Sequence, residues 1–203
     1  SGFLGSHRQI AIVTDFIDHF HRPDQLVVVD PVLGDDGVLY GPLAADMVAE
    51  MRALIAHADV ITPNLTEVAL LLDEAYAPQA ELRQVRDWAV RLAARGPGTV
   101  IITSVPEGGP GHRTAVLAYN RGDGRFWKVA CGYLPAQYPG TGDAFASVIV
   151  GCLLQGDSLP IALDRAVQFI SLGVRATFGY DYDTRQGILL ERVLGNLRAS
   201  PPI

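Results

Sequence analysis

Short apolar runs that stop at polar residues recur through the first half of the chain, and helix-like patterns alternate with them. The runs are "LVVV" before Asp30 and Pro31, "VI" within "ADVITPN", and "TVIITS" at 99–104. A short, fully apolar, β-branched run is typical of a strand that is buried in a parallel sheet. The sequence therefore predicts a three-layer α/β fold with a mainly parallel central sheet flanked by helices.

Hydrophobic periodicity predicts the remaining elements. The runs "RTAVLAY" and "RFWKVA", joined by "NRGDG", predict a β-hairpin. We find no internal repeat or linker, so residues 1–203 are predicted to form a single domain. The opening "SGFLGS" is typical of the end of a strand, and an N-terminal part of the natural protein is expected to precede it. Predicted helices cover 8–20, 43–57, the segment after Asn64, 81–95, 158–178 and 184–197.

Composition narrows the class of protein. Hydrophobic residues make up 49% of the 203 residues, enough for a sizeable core. The net charge is −6 and the only lysine is Lys128, which argues against binding to nucleic acid or to anionic membranes. Cys131 and Cys152 match no zinc or redox spacing, and unpaired thiols indicate a reducing cytoplasm. Because the chain lacks G-x-x-x-x-G-K-[ST], it is not a P-loop NTPase, and it has neither a G-x-S-x-G elbow nor a G-x-G-x-x-G after a strand.

The stretch "YPGTGDAFAS" places two glycines and an aspartate at the entrance of an apolar helix. The first N–H groups of a helix carry a partial positive charge, so Gly140, Thr141 and Gly142 predict an anion site suited to phosphate. The carboxylate of Asp143 beside it can accept a proton from an attacking hydroxyl. The alternative is an ordinary N-cap turn, because Thr and Asp commonly cap helices.

Two further groups of polar residues follow strand ends. Asp30 opens "DPVLGDDGVLY", which contains Asp35 and does not fit the EF-hand spacing; as a plain surface turn it needs no function. In "TPNLTE", Asn64 and Glu67 lie three apart on one helix face, and their alternative is a capping box. Oxygen ligands at several strand ends would suit Mg²⁺, which one or two carboxylates hold together with substrate phosphates.

Taken together and in order, "SGFLGS", "VVVDPVLGDDGVLY", "ADVITPNLTEVALLL", "IITS" and "GTGDAFAS" resemble the ribokinase-like superfamily of small-molecule kinases, most closely the pyridoxal kinases. The resemblance covers nearly the whole chain. It implies ATP-dependent phosphorylation of the hydroxymethyl group of pyridoxal or a related B6 vitamer, with Mg²⁺, ATP as co-substrate and a homodimer.

The resemblance also implies a role for each matching residue. Asp143 would be the catalytic base and touch the substrate, and Phe3 stands where pyridoxal kinases often have Tyr. The matching positions are Gly140, Thr141 and Gly142 for the anion hole; Asp30, Asp35, Thr103 and Ser104 for ATP; Asn64 and Glu67 for the metal; and Gly2 and Phe3 beside the pyridine ring.

Two alternatives remain open at this point. Hydroxymethylpyrimidine kinases of thiamine synthesis, a related group, usually carry Cys where Asp143 stands, which favours a B6 vitamer here. A noncatalytic or truncated relative that only binds its ligand is the other alternative.

Overall fold

The computed structural model describes residues 1–41, 43–108, 113–181 and 183–197. The chain divides into two compact units. The first comprises Ser1–Pro106 and Ala115–Lys128, and the second comprises Glu107–Thr114 and Val129–Ile203. The single domain expected over residues 1–203 stays a prediction.

A five-stranded sheet runs in the order β1-β4-β5-β6-β7. Strand β1 pairs in parallel with β4, and β4 pairs in parallel with β5, as the apolar runs predict. Strands β6 and β7 are neighbours joined by residues 121–124, which confirms the predicted hairpin. The bounds are β1 Val28–Val29, β4 Val60–Ile61, β5 Thr99–Glu107, β6 Arg113–Asn120 and β7 Arg125–Gly132.

A small antiparallel hairpin that periodicity did not predict follows β1. It consists of β2, Gly34–Asp35, and β3, Val38–Leu39. Its turn is formed by the "DG" of "LGDDGVLY", a dipeptide that favours tight hairpin turns. The segment after Asp30 is therefore an ordered hairpin.

Four helices belong to the first unit: α1 His7–Phe20, α2 Met47–Ile55, α3 Leu65–Leu72 and α4 Leu82–Ala93. Helix α1 begins where predicted because Ser6 caps it, its side-chain oxygen accepting the Gln9 N–H at 3.3 Å. Helix α2 is shorter than predicted, since the residues before Met47 form turns.

The core of the first unit forms where the apolar faces of these helices cover the sheet. Fully burying a large apolar side chain contributes roughly 1.5–3 kcal/mol to stability. The packing of these side chains therefore holds the strands in place. The polar residues that follow β1 and β4 lie at the edge of this core. Fully buried core residues include Leu33, Met51, Leu54, Ile61, Trp88, Ile101 and Ile102.

In the second unit, α5 Thr141–Leu154 packs on α6 Leu159–Thr177. The helix predicted over 184–197 is wrong. Three 3₁₀ turns, Thr184–Gln186, Leu190–Arg192 and Leu194–Leu197, take its place. Gly187 between the first two has φ +80° and ψ −159°, a conformation almost confined to glycine that cannot continue a right-handed helix. Within the described ranges, no helix has the length and apolarity to cross a membrane.

Candidate active site

The ends of β1 and β4 bring two polar side chains together. The register pairs Val29 with Ile61, so the next residues, Asp30 and Thr62, lie side by side. The Thr62 hydroxyl donates a 2.7 Å hydrogen bond to Oδ1 of Asp30, and both residues are buried. The carboxylate of Asp30 is therefore held in one orientation at the carboxyl edge of the sheet, the edge at which ligands bind in parallel α/β folds.

The first turn of α3 holds a second buried carboxylate. Oε2 of Glu67 accepts the Asn64 N–H at 2.7 Å, while Oδ1 of Asn64 accepts the Glu67 N–H at 2.9 Å. This reciprocal pair is the capping box that the sequence left as an alternative. Oε1 of Glu67 also accepts the Leu33 N–H at 3.1 Å, so one carboxylate joins the helix start to the loop after Asp30.

The β2–β3 hairpin is fastened to the same helix. Nδ2 of Asn64 donates to the Gly34 carbonyl at 2.9 Å, and the Gly37 N–H donates to Oγ1 of Thr66 at 2.9 Å. Asp35, the last residue of β2, is exposed on this anchored hairpin. The "DDG" segment is thus more than a plain surface turn, because its position is set by α3.

Electrostatics single out Glu67. Its side chain is 4% exposed, and this burial, followed by repulsion from the charge of Asp30, raises its pKa well above the ordinary value. A bound divalent cation would compensate for the burial of the Glu67 charge and for its repulsion by Asp30, because it is positively charged. Among the described residues, no group of three His, Cys, Asp or Glu side chains could hold a metal by itself. The arrangement therefore suits an ion that also takes ligands from a substrate.

Strand β5 carries the next predicted pair. The Thr103 N–H donates to the Pro63 carbonyl at 2.9 Å, which ties this strand to the end of β4. Ser104 is exposed and has φ +57°, a conformation that costs a non-glycine residue of order 1–3 kcal/mol. Such strain clusters at functional sites. The positive φ of Ser104 could not be predicted from the sequence.

Gly2 and Phe3 follow a residue that pairs with β1. The Ser1 amino group donates to the Val28 carbonyl at 2.8 Å, and the Asp30 N–H donates to the Ser1 carbonyl at 2.9 Å. Gly2 and Phe3 therefore leave the end of β1 at the level of Asp30, and the Phe3 ring is 49% exposed. Their position is compatible with a ring-binding role, which stays a prediction.

The glycine-rich turn lies in the second unit. Gly140 is the N-cap of α5, with φ +82°, and it has no side chain that could cap the first N–H groups. Neither Thr141 nor Asp143 is the N-cap: the Thr141 hydroxyl donates backwards to the Tyr138 carbonyl at 3.1 Å, and Asp143 is exposed on the first helical turn. The N-cap thus makes no side-chain bond to the N–H groups at the helix start, which is compatible with an anion there; that role stays a prediction.

Two contributing residues were missing from the predicted set. Thr62 could have been found from the sequence, because it ends β4 as Asp30 ends β1, and the two strands are neighbours. Thr66 could not, because its bond to Gly37 joins residues 29 positions apart and depends on how the hairpin folds back.

Comparison with known proteins places the chain in a family. The phosphomethylpyrimidine kinase family model matches residues 1–187. A protein of Bacteroides thetaiotaomicron VPI-5482, assigned to the phosphomethylpyrimidine kinases and solved with pyridoxal, is 59% identical, with TM-score 0.93 over 100% of this chain and 71% of its own. Pyridoxal kinase from Lactobacillus plantarum is 34% identical, with TM-score 0.85 over 97% of this chain and 68% of its own.

The curated relatives are longer than this chain. Pyridoxal kinase PdxY of Rubrobacter xylanophilus is 36% identical over 169 residues, which are 80% of this chain and 56% of the relative. The chain thus spans little more than half the length of the curated relatives it matches.

The α/β fold with a mainly parallel sheet that the strand pattern predicted is confirmed, and it is the ribokinase-like fold that the resemblance implied. The chain belongs to the phosphomethylpyrimidine kinase family, and its resemblance to the pyridoxal kinases within it is confirmed.

Proposed function

We propose that this chain belongs to an ATP-dependent kinase that phosphorylates the hydroxymethyl group of pyridoxal or a related B6 vitamer. One observation carries the proposal: Asp143 is exposed on the first turn of a helix whose N-cap, Gly140, leaves the first N–H groups to a ligand. A carboxylate beside a helix start that can bind an anion is suited to in-line transfer of a phosphoryl group to an alcohol.

In the proposed reaction, Asp143 accepts the proton of the hydroxymethyl group as its oxygen attacks the γ-phosphorus of ATP. The new O–P bond forms while the bond to the leaving ADP oxygen breaks. The N–H groups at 140–142 hold the oxygens of the transferred group, and a fixed array of such donors needs no reorganisation as charge shifts.

The strand-end residues of the first unit would serve the nucleotide. Asp30 and Glu67 fit a Mg²⁺ ion, because they are two buried carboxylates whose mutual repulsion a cation would relieve. Asn64 was predicted as a ligand as well, although its amide already serves the cap and the hairpin. When bound, the ion would neutralise phosphate charge. Asp35, Thr103 and Ser104 would contact ATP, and Gly2 and Phe3 the pyridine ring.

The second candidate is a hydroxymethylpyrimidine kinase, which the name of the matching family supports. The B6 vitamer is favoured because the 59% identical neighbour was solved with pyridoxal and because Asp143 stands where the pyrimidine enzymes usually have Cys. Cytoplasmic localisation also belongs to the proposal and fits the two free thiols, Cys131 and Cys152. A homodimer is expected from the family resemblance.

Competition between the two substrates tests the assignment. The full-length protein is given ATP, Mg²⁺ and equal concentrations of pyridoxal and hydroxymethylpyrimidine, and both phosphorylated products are quantified. Faster formation of pyridoxal phosphate supports the proposal. Faster phosphorylation of the pyrimidine would transfer the assignment to thiamine synthesis, and binding of pyridoxal without either product would favour a noncatalytic relative.

A further inference from the structure

Gly187 lies unusually close to the segment that leads into the glycine-rich turn. A Cβ atom built on Gly187 would lie 2.8 Å from the carbonyl oxygen of Pro139, closer than real Cβ atoms approach a backbone. Gly187 also has φ +80°, so both its conformation and the available space require glycine. Pro139 directly precedes Gly140, the N-cap of α5. Gly187, which follows Gly140 by 47 positions, therefore packs against the residue immediately before the glycine-rich turn.

The segment 187–189 is held firmly from its other side. The Leu189 N–H donates to Oγ1 of Thr177 at 2.8 Å, and that fully buried hydroxyl donates to the Gly173 carbonyl at 2.7 Å. Ile188 is buried against α6, where a Cβ atom on Gly173 would lie 2.7 Å from its Cδ1. Helix α6 therefore fixes the segment that meets Pro139.

Two observations bear on how the turn itself is held. Among the described residues other than its two chain neighbours, nothing lies within 4 Å of a Cβ atom built on Gly140, so packing does not constrain that residue. The Thr141 hydroxyl bonds only as far back as the Tyr138 carbonyl. The direction in which the N–H groups of 140–142 point depends on where the chain at Pro139 is held.

We propose that Gly187 is a positioning residue for the anion-binding turn. Because Gly187 has no Cβ atom, the 187–189 segment, which α6 holds in place, can pack against Pro139. This contact sets the direction of the N–H groups at 140–142. The inference rests on the proposed function of that turn. A misplacement of about 1 Å in a catalytic group can lower the rate roughly 10²-fold, so a methyl group at this position should matter.

Gly187→Ala tests the proposal, and Gly179→Ala is its matched control. Gly179 has φ +88°, and among the described residues nothing lies within 4 Å of its Cβ position. Both variants place an alanine at positive φ. Gly187→Ala adds the clash with Pro139, and the ψ of −159° at Gly187 makes its backbone cost larger. We expect Gly187→Ala to transfer phosphate roughly 10- to 100-fold more slowly than Gly179→Ala when both are assayed well below their melting temperatures. The amide resonances of Thr141 and Gly142 should shift in Gly187→Ala alone.

The amide resonances separate this inference from the proposed function. If the wild-type protein phosphorylates no substrate, the proposed function fails, but a shift of these two resonances still supports the positioning role of Gly187. Unchanged resonances and equal turnover in the two alanine variants would overturn it. Should Gly187→Ala not fold, Thr177→Val takes its place: it removes the hydroxyl that holds Leu189, and a folded variant with unshifted Thr141 and Gly142 resonances would overturn the inference equally.

Discussion

Asp143→Asn removes the proposed base while leaving the fold almost untouched. The side chain is exposed on the first turn of α5, and asparagine has the same size. Losing a negative charge near a helix start costs typically 0.3–1 kcal/mol. For a chain of this size that corresponds to a fall in melting temperature of no more than about 4 °C.

The expected loss of activity is much larger. A positioned general base contributes roughly 10²–10⁴-fold to the rate, which corresponds to about 2.7–5.4 kcal/mol of transition-state stabilisation. ATP binding should survive, because the backbone N–H groups of 140–142 do not depend on the carboxylate. The variant should therefore bind nucleotide normally, melt within a few degrees of the wild type and transfer phosphate very slowly.

The assay measures turnover, ATP affinity and melting temperature of the full-length protein for wild type, Asp143→Asn and Asp164→Asn. Asp164 is an exposed aspartate on α6 and controls for the loss of one surface charge. Near-normal turnover in Asp143→Asn would refute the assignment of the base. A loss of turnover that only follows a loss of stability would refute it equally.

Further predictions concern the metal, pH and backbone strain. Excess EDTA should abolish turnover, and Glu67→Gln should weaken the response to added Mg²⁺; an unchanged metal titration would mean that Glu67 serves only as a cap. Because burial raises the pKa of Glu67 above 4.5, the native state holds its proton more tightly than the unfolded chain. The free energy of unfolding, measured with urea in EDTA, should thus fall as pH rises above about 4.5, more steeply than in Glu67→Gln; parallel slopes would contradict this. Ser104→Gly should raise the free energy of unfolding by about 1 kcal/mol by relieving its positive φ, and a loss of stability would contradict the strain.

The parts of the fold that the sequence predicted are those determined by short patterns. Strand cores such as Val60 and Ile61 and the capping box of Asn64 and Glu67 depend on residues within a few positions of one another. The polar strand ends were predictable for the same reason, and parallel pairing then places Asp30 beside Thr62. The order of the motifs was specific enough to indicate the family.

Long-range contacts account for what the sequence did not predict. The helix expected over 184–197 has suitable periodicity, but Gly187 and the Thr177 hydroxyl favour 3₁₀ turns that pack on α6. The positive φ of Ser104 and the bond from Gly37 to Thr66 likewise depend on tertiary packing. The roles of individual site residues stay predictions.

The most direct test of the central claim is the product of one reaction. The full-length wild-type protein is incubated with pyridoxal, ATP and Mg²⁺, and both pyridoxal 5′-phosphate and ADP are quantified over time. If Asp143 is the base of a pyridoxal kinase, the two form in equal amounts, and both are lost together in Asp143→Asn. ADP released without pyridoxal 5′-phosphate, or pyridoxal 5′-phosphate formed at the wild-type rate by Asp143→Asn, would contradict it.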